Sequence, residues 1–188
     1  MFQIIPTFFD LQLSAKALYN VLMTFRLYLF SFFVSLCSMI TSLFFVIPAF
    51  KRMNFPVGTF ARQLSFDGEK LRAWLNIMQE AGRLPLIAIQ HKLDDWFALS
   101  FGLVFLTLGF FLATKLKISK FKIIGALGFL GGILDLVENR MFLEMVSHIQ
   151  EIDSTSAIIF SIVNLCKWSL YAIGIIGFFY IWLSEKKK

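Results

Sequence analysis

Charge is what this chain has least of. Asp, Glu, Lys and Arg make up 16% of its 188 residues, where a soluble domain carries about 25%. That scarcity argues against an ordinary soluble enzyme. The formal charge of +6 does not point to nucleic acid, because the cations sit beside apolar runs, where anionic lipid and topology account for them. Cysteine is as sparse. Cys37 and Cys166 both fall inside apolar runs, which excludes a disulfide framework and reads as small packing residues. No basic leader with a small-residue cleavage site is apparent, and neither repeats nor low-complexity segments occur. Ser-His-Asp, phosphate-loop and dinucleotide fingerprints are missing, and Gly125-x-x-Gly128 and Gly131-Gly132 have only apolar neighbours.

What the chain has instead is hydrophobic length. With 58% hydrophobic residues and 24 Phe, several runs approach the ~20 residues that cross a bilayer. The pattern predicts an all-α, polytopic membrane four-helix bundle forming a single integral membrane domain over residues 1–188. Its spans are expected at about 27–47, 96–114, 121–146 and 157–183. Before the first span, residues 1–25 read as a short interfacial helix, or equally as the start of one long helix. The serines and threonines of the first span can bond to their own helix or across to a neighbour.

The long connection from Lys51 to Lys92 predicts an amphipathic surface helix at about 67–82. Asp67 caps it, Glu69 suits its first turn and Gly82 stops it. Leu71, Trp74, Leu75 and Met78 form its apolar stripe, which suits a lid over the bundle mouth. Further on, Pro85 offers an earlier start for the second helix. The polar insert Gln90–Asp95 would then be helical, with His91 and Asp95 at i, i+4.

The third span carries the most informative residues. Asp135, Glu138 and Asn139 stand at i, i+3 and i+4 and share one helix face. Gly128, Gly131 and Gly132 lie on or beside that face one and two turns earlier, where another helix can approach closely. Ionisable groups at membrane depth are costly unless they face a partner or water, so they are functional candidates. In the fourth span Asn164, Lys167, Tyr171 and Gly174 share a face.

Topology makes these residues converge. Lys115, Lys117, Lys120 and Lys122 in one short connection and the three C-terminal lysines fall on the same side, which the positive-inside rule makes cytoplasmic. Both termini are then cytoplasmic, and a bacterial inner membrane is the expected location. Asp135 lies about 21 Å along the third helix from Phe121, at 1.5 Å per residue. Asp94 and Asp95 begin the second span on the same outer side, and Asn164 and Lys167 descend from it.

An outer-half pocket is therefore expected from Asp94, Asp95, Asp135, Glu138, Asn139, Asn164, Lys167 and Tyr171. It is fit to bind or modify a lipid or other amphiphile. Were it catalytic, Asp135 or Glu138 would be general acid or base and Lys167 the electrostatic partner. Proton- or cation-coupled transport is an alternative, and so is a structural cluster of buried ion pairs. A metal site is the weakest reading, from His91, Asp95 and His148 with the nearby acids. Whether a cofactor is used is left open. Membrane lipids are the expected partners, and homo-oligomerisation is left open. Asp135-Leu-Val-Glu138-Asn139 resembles a motif late in the third span of small uncharacterised four-span bacterial membrane proteins. Asp94 or Asp95 at the head of span two fits that pattern. The resemblance implies the four-span layout and no activity.

Overall fold

The computed structural model describes the backbone from Phe8 to Glu185 and the side chains from Leu22 to Glu185. The first part of the expected interfacial helix and the three C-terminal lysines lie outside the described residues. Six α-helices make up the structure: α1 (Phe8–Met53), α2 (Thr59–Gln63), α3 (Gly68–Glu80), α4 (Leu84–Leu116), α5 (Lys120–Ser147) and α6 (Ser154–Glu185). A 3₁₀ turn at Ile149–Glu151 links α5 to α6, and there is no strand among the described residues.

Among the described residues, three helical segments are long and apolar enough to cross a membrane: Leu22–Met53, Leu84–Leu116 and Ser154–Glu185. This is the signature of a multi-pass membrane protein. Their outward residues are apolar, with Phe30 67%, Phe44 73% and Ile176 66% exposed, an arrangement that suits lipid and not water. Cys37 and Cys166 are on this outward surface too. They do not pack internally as the sequence suggested, because they lie on helix faces that no neighbouring helix covers. α5 is interrupted by charge. It lies between α4 and α6 and turns its polar residues toward them, while α1 packs on α4. The four long helices thus follow one another in chain order as a row, with no comparable α1–α6 interface among the described residues.

Two helices extend beyond their expected bounds. α1 continues through Pro48 to Met53 and does not end at residue 47. α4 starts at Leu84, with Pro85 in its first turn, which is the earlier start that Pro85 offered and not the one at Trp96. The polar insert is helical because its polar side chains face inward: Gln90 and His91 are both fully buried. A hydropathy minimum here marks an interior face and not a loop.

Glycine sets the spacing of α4 and α5. A Cβ added at Gly109 would stand 2.9 Å from Gly125 Cα, and one at Gly132 would stand 3.0 Å from Gly102 Cα. The two pairs, Gly102–Gly132 and Gly109–Gly125, let antiparallel backbones touch, as small residues do in membrane helix packing. Across α1 and α4, Ser38 Oγ and Ser100 Oγ are 2.7 Å apart and Trp96 Nε1 donates to Ser38 Oγ at 2.8 Å.

At the opposite end from the α4–α5 turn, the long connection folds into a cap. Asp67 accepts from the Lys70 N–H at 3.1 Å and starts α3. Leu71, Leu75 and Met78 are buried with Phe142, Ile149, Ile152 and Phe160, and Trp74 packs beside them. Asp153 accepts from the Ser156 N–H at 2.7 Å at the head of α6. These capping bonds hold both carboxyl groups below their usual pKa, the backbone N–H groups of Lys70 and Ser156 being the chief causes.

Candidate functional site

Lys167, on the buried face of α6, is the centre of a charged cluster. Its Nζ donates to Asp135 Oδ1 and Glu138 Oε2, both at 2.9 Å, and its side chain is 2% exposed. The i, i+3 spacing on α5 brings both carboxylates to one ammonium. Tyr171, one turn along α6, donates its phenol to Asp135 Oδ2 at 3.3 Å. Gln63 of α2 donates to Glu138 Oε2 at 3.2 Å, and its own carbonyl accepts from Trp168 Nε1 at 3.1 Å. What closes over the carboxylates is therefore α2. The α3 stripe expected to act as lid packs against the ends of α5 and α6 as part of the cap's core.

A second chain runs from Asn139 toward the surface. Asn139 Nδ2 donates to Asp95 Oδ1 at 3.0 Å, which orients the amide so that its Oδ1 accepts from His91 Nδ1–H at 2.6 Å. In a neutral imidazole Nε2 is then the bare nitrogen. Arg140, 70% exposed, binds Asp95 Oδ2 at 2.6 Å. Asn164 spends its Nδ2 on the Phe160 carbonyl of its own helix at 3.0 Å.

The two aspartates at the start of the expected second span thus divide. Asp95 is paired. Asp94 is half-buried, feels the charges of Asp135, Glu138, Lys167 and Arg62, and makes no hydrogen bond or ion pair among the described residues. The inner group holds three acids (Asp94, Asp135, Glu138) and two cations (Lys167, Arg62), so one negative charge is in surplus.

Arg62 was not among the sequence candidates. It is 2% exposed, with its guanidinium 4.3 Å from the Phe142 ring centroid and 5.4 Å from that of Phe55. Burial holds its pKa below the usual guanidinium value, and Glu138, Asp94 and Asp135 oppose that shift. Phe142 is a common floor, because His91 and Phe160 stand 5.2 and 5.6 Å from it. Polar atoms from the surrounding residues are buried without a partner: Glu138 Oε1, His91 Nε2, Arg62 Nε and Nη1, Asn164 Oδ1 and both ends of Gln90. More than nine in ten buried polar groups in proteins are satisfied. Their concentration here leaves hydrogen-bonding capacity that water or a polar ligand group can take up.

Beside the cluster lies apolar space. A groove of about 460 Å³ between α4 and α6 is walled by Phe101, Phe105, Leu108, Leu112, Phe178 and Trp182, among others. Tyr171 joins the two environments, since its ring lies 4.8 Å from Phe101 and 5.9 Å from Phe105 while its hydroxyl reaches Asp135.

The structure does not gather the three weak metal candidates. His91 and Asp95 are separated by Asn139, and His148 pairs with Glu144 at 3.3 Å at the end of α5. No group of three or more potential His, Cys, Asp or Glu ligands occurs among the described residues. Gln63 and Arg62 carry no sequence signal, because α2 is too short to show a periodicity. Gln90 had one: a polar residue within a helix begun by Pro85. No protein-family model, curated protein or solved structure matches the chain.

Proposed function

We propose that this multi-pass membrane protein binds or modifies an amphiphile, with a polar group received at Asp94, Asp135 and Lys167 and an apolar tail in the groove between α4 and α6. In this reading α5 is a fourth crossing, and α3 and the cap lie over the outer end of the bundle. Both termini are cytoplasmic, and a bacterial inner membrane is the setting. One observation carries it: Tyr171 is shared by the two halves, its hydroxyl on the Asp135 carboxylate and its ring against the first aromatics of the groove. A ligand that is polar at one end and apolar at the other has the matching chemistry.

If the bound molecule is transformed, Asp135 is better placed than Glu138 to exchange a proton with it. Asp135 keeps 10% of its side chain accessible, while Glu138 is fully enclosed. Lys167 would stabilise negative charge developing beside it. The test is to purify the protein gently and compare bound lipids, by native mass spectrometry, with those of Asp135→Asn and Tyr171→Phe. The wild type should retain an amphiphile that Asp135→Asn holds about ten-fold less tightly, which corresponds to about 1.4 kcal/mol. Equal retention by folded Asp135→Asn removes the reading.

The surplus carboxylate of Asp94 favours a second reading, proton- or cation-coupled transport. It requires flux in proteoliposomes that depends on pH or sodium and is lost in Asp94→Asn.

A further inference from the structure

Arg62 is a buried cation with most of its donor edge unused. Its Nε and Nη1 are enclosed without partners, and its guanidinium rests against the rings of Phe142 and Phe55. Glu138 acts on it electrostatically but forms no hydrogen bond with it. The Glu138 Oε2 oxygen is already engaged by Lys167 and Gln63. A guanidinium held on aromatic carbon binds in its own plane, and the fork of N–H groups there matches an anion that offers two oxygens.

Arg62 also lines a cavity of about 350 Å³ where α1 gives way to α2, together with Lys51, Asn54, Phe55, Gly58 and Thr59. No acidic residue lines this cavity. Lys51 contributes a second cation and Thr59 a hydroxyl. Arg83 donates to the Asn54 carbonyl at 3.3 Å, which brings a third positive charge to the rim. Ile47, Leu43 and Ile40 follow Lys51 down α1 at helical spacing. They line a shallow apolar groove of about 310 Å³, and Ile40 and Ile47 are 44% and 50% exposed.

We propose that the cavity between α1 and α2 binds the phosphate of an anionic membrane lipid. Arg62 and Lys51 hold the phosphate oxygens, and an acyl chain lies along Ile47, Leu43 and Ile40. The lining of this cavity shares no residue with the groove beside Tyr171, so substitutions can address the two separately.

The test uses the full chain in detergent, titrated with phosphatidylglycerol, with diacylglycerol of the same chains and with inorganic phosphate, and read by native mass spectrometry. Phosphatidylglycerol should be retained in preference to diacylglycerol. Arg62→Gln should weaken its retention about ten-fold and Lys51→Gln several-fold, on the order of one charge-assisted contact each, while Lys120→Gln, an exposed cation at the far end of the molecule, leaves it unchanged. Equal retention of the two lipids, or retention unaffected by either substitution, overturns the proposal and leaves Arg62 serving only the charge of Glu138. Inorganic phosphate bound through Arg62 without a lipid preference would assign the cavity to free phosphate and overturn the lipid assignment. Lys51 is exposed and outside the core. If Arg62→Gln fails to fold, undiminished phosphatidylglycerol retention in Lys51→Glu is therefore decisive against it.

Discussion

Lys167 illustrates how a buried charge constrains its neighbours. Two carboxylates converge on one ammonium that is 2% exposed, and burying such groups is tolerable only while they remain together. Removing the cation alone leaves Asp135 and Glu138 facing one another without it. Lys167→Met should therefore lower stability in detergent by about 3–5 kcal/mol, and adding Glu138→Gln should recover part of the loss. Thermal unfolding of the single and double variants decides this, and a Lys167→Met protein that melts like the wild type would remove the ammonium as the hub. The meeting of Asp135, Glu138 and Lys167 was legible in the sequence, because helix periodicity fixes which residues share a face. The contribution of Gln63, Trp168 and Arg62 was not, since the path by which a loop returns to the bundle leaves no periodic trace. Nor could spacing tell Asp94 from Asp95; the packing of Asn139 between His91 and Asp95 makes the difference.

The helices α4 and α5 depend on glycine as strongly as the site depends on charge. Gly109 meets Gly125, and Gly102 meets Gly132, at distances that leave no space for a methyl group. Leucine at Gly109 or Gly132 must push the two backbones apart, at a cost of about 1–3 kcal/mol or more, and in doing so it shifts the helices that carry Asp94 and Asp135. Gly58 makes the contrast, because a Cβ there meets nothing within 4 Å and its φ of −66° is open to any residue. Gly58→Ala should melt with the wild type, and Gly109→Leu and Gly132→Leu well below it. If all three melt alike, close approach is not what holds α4 to α5. The glycine-rich face of α5 could be read from the sequence, but its partner could not, because Gly102 and Gly109 are isolated glycines seven residues apart among aliphatic and aromatic residues. The start of α4 was legible through Pro85, but hydropathy alone argued for a later one. Gln90 and His91 lower hydropathy as a loop would, yet they are polar because they face the interior.

The proposed orientation in the membrane rests on which cations are free. The connection between Lys51 and Lys92 has seven basic residues, enough to compete with the lysines at the other end of the molecule. Four of them are tied down within the cap: Arg62 is buried, Arg72 donates to the Ile152 carbonyl, Arg83 to the Asn54 carbonyl, and Lys70 pairs with Asp67. At the other end Lys115, Lys117, Lys120 and Lys122 flank a short turn, and Lys117, Lys120 and Lys122 have exposed side chains. The positive-inside rule then favours the α4–α5 turn as cytoplasmic and the cap as external. Cysteine labelling tests this directly. With Cys37 and Cys166 replaced by alanine, Glu151→Cys in the α5–α6 connection and Ser119→Cys in the α4–α5 turn are both at exposed positions. A membrane-impermeant maleimide added to intact cells should label Glu151→Cys at once and Ser119→Cys only after permeabilisation. The reverse pattern would place the cap in the cytoplasm, and the Asp135 cluster would then open to the inner leaflet.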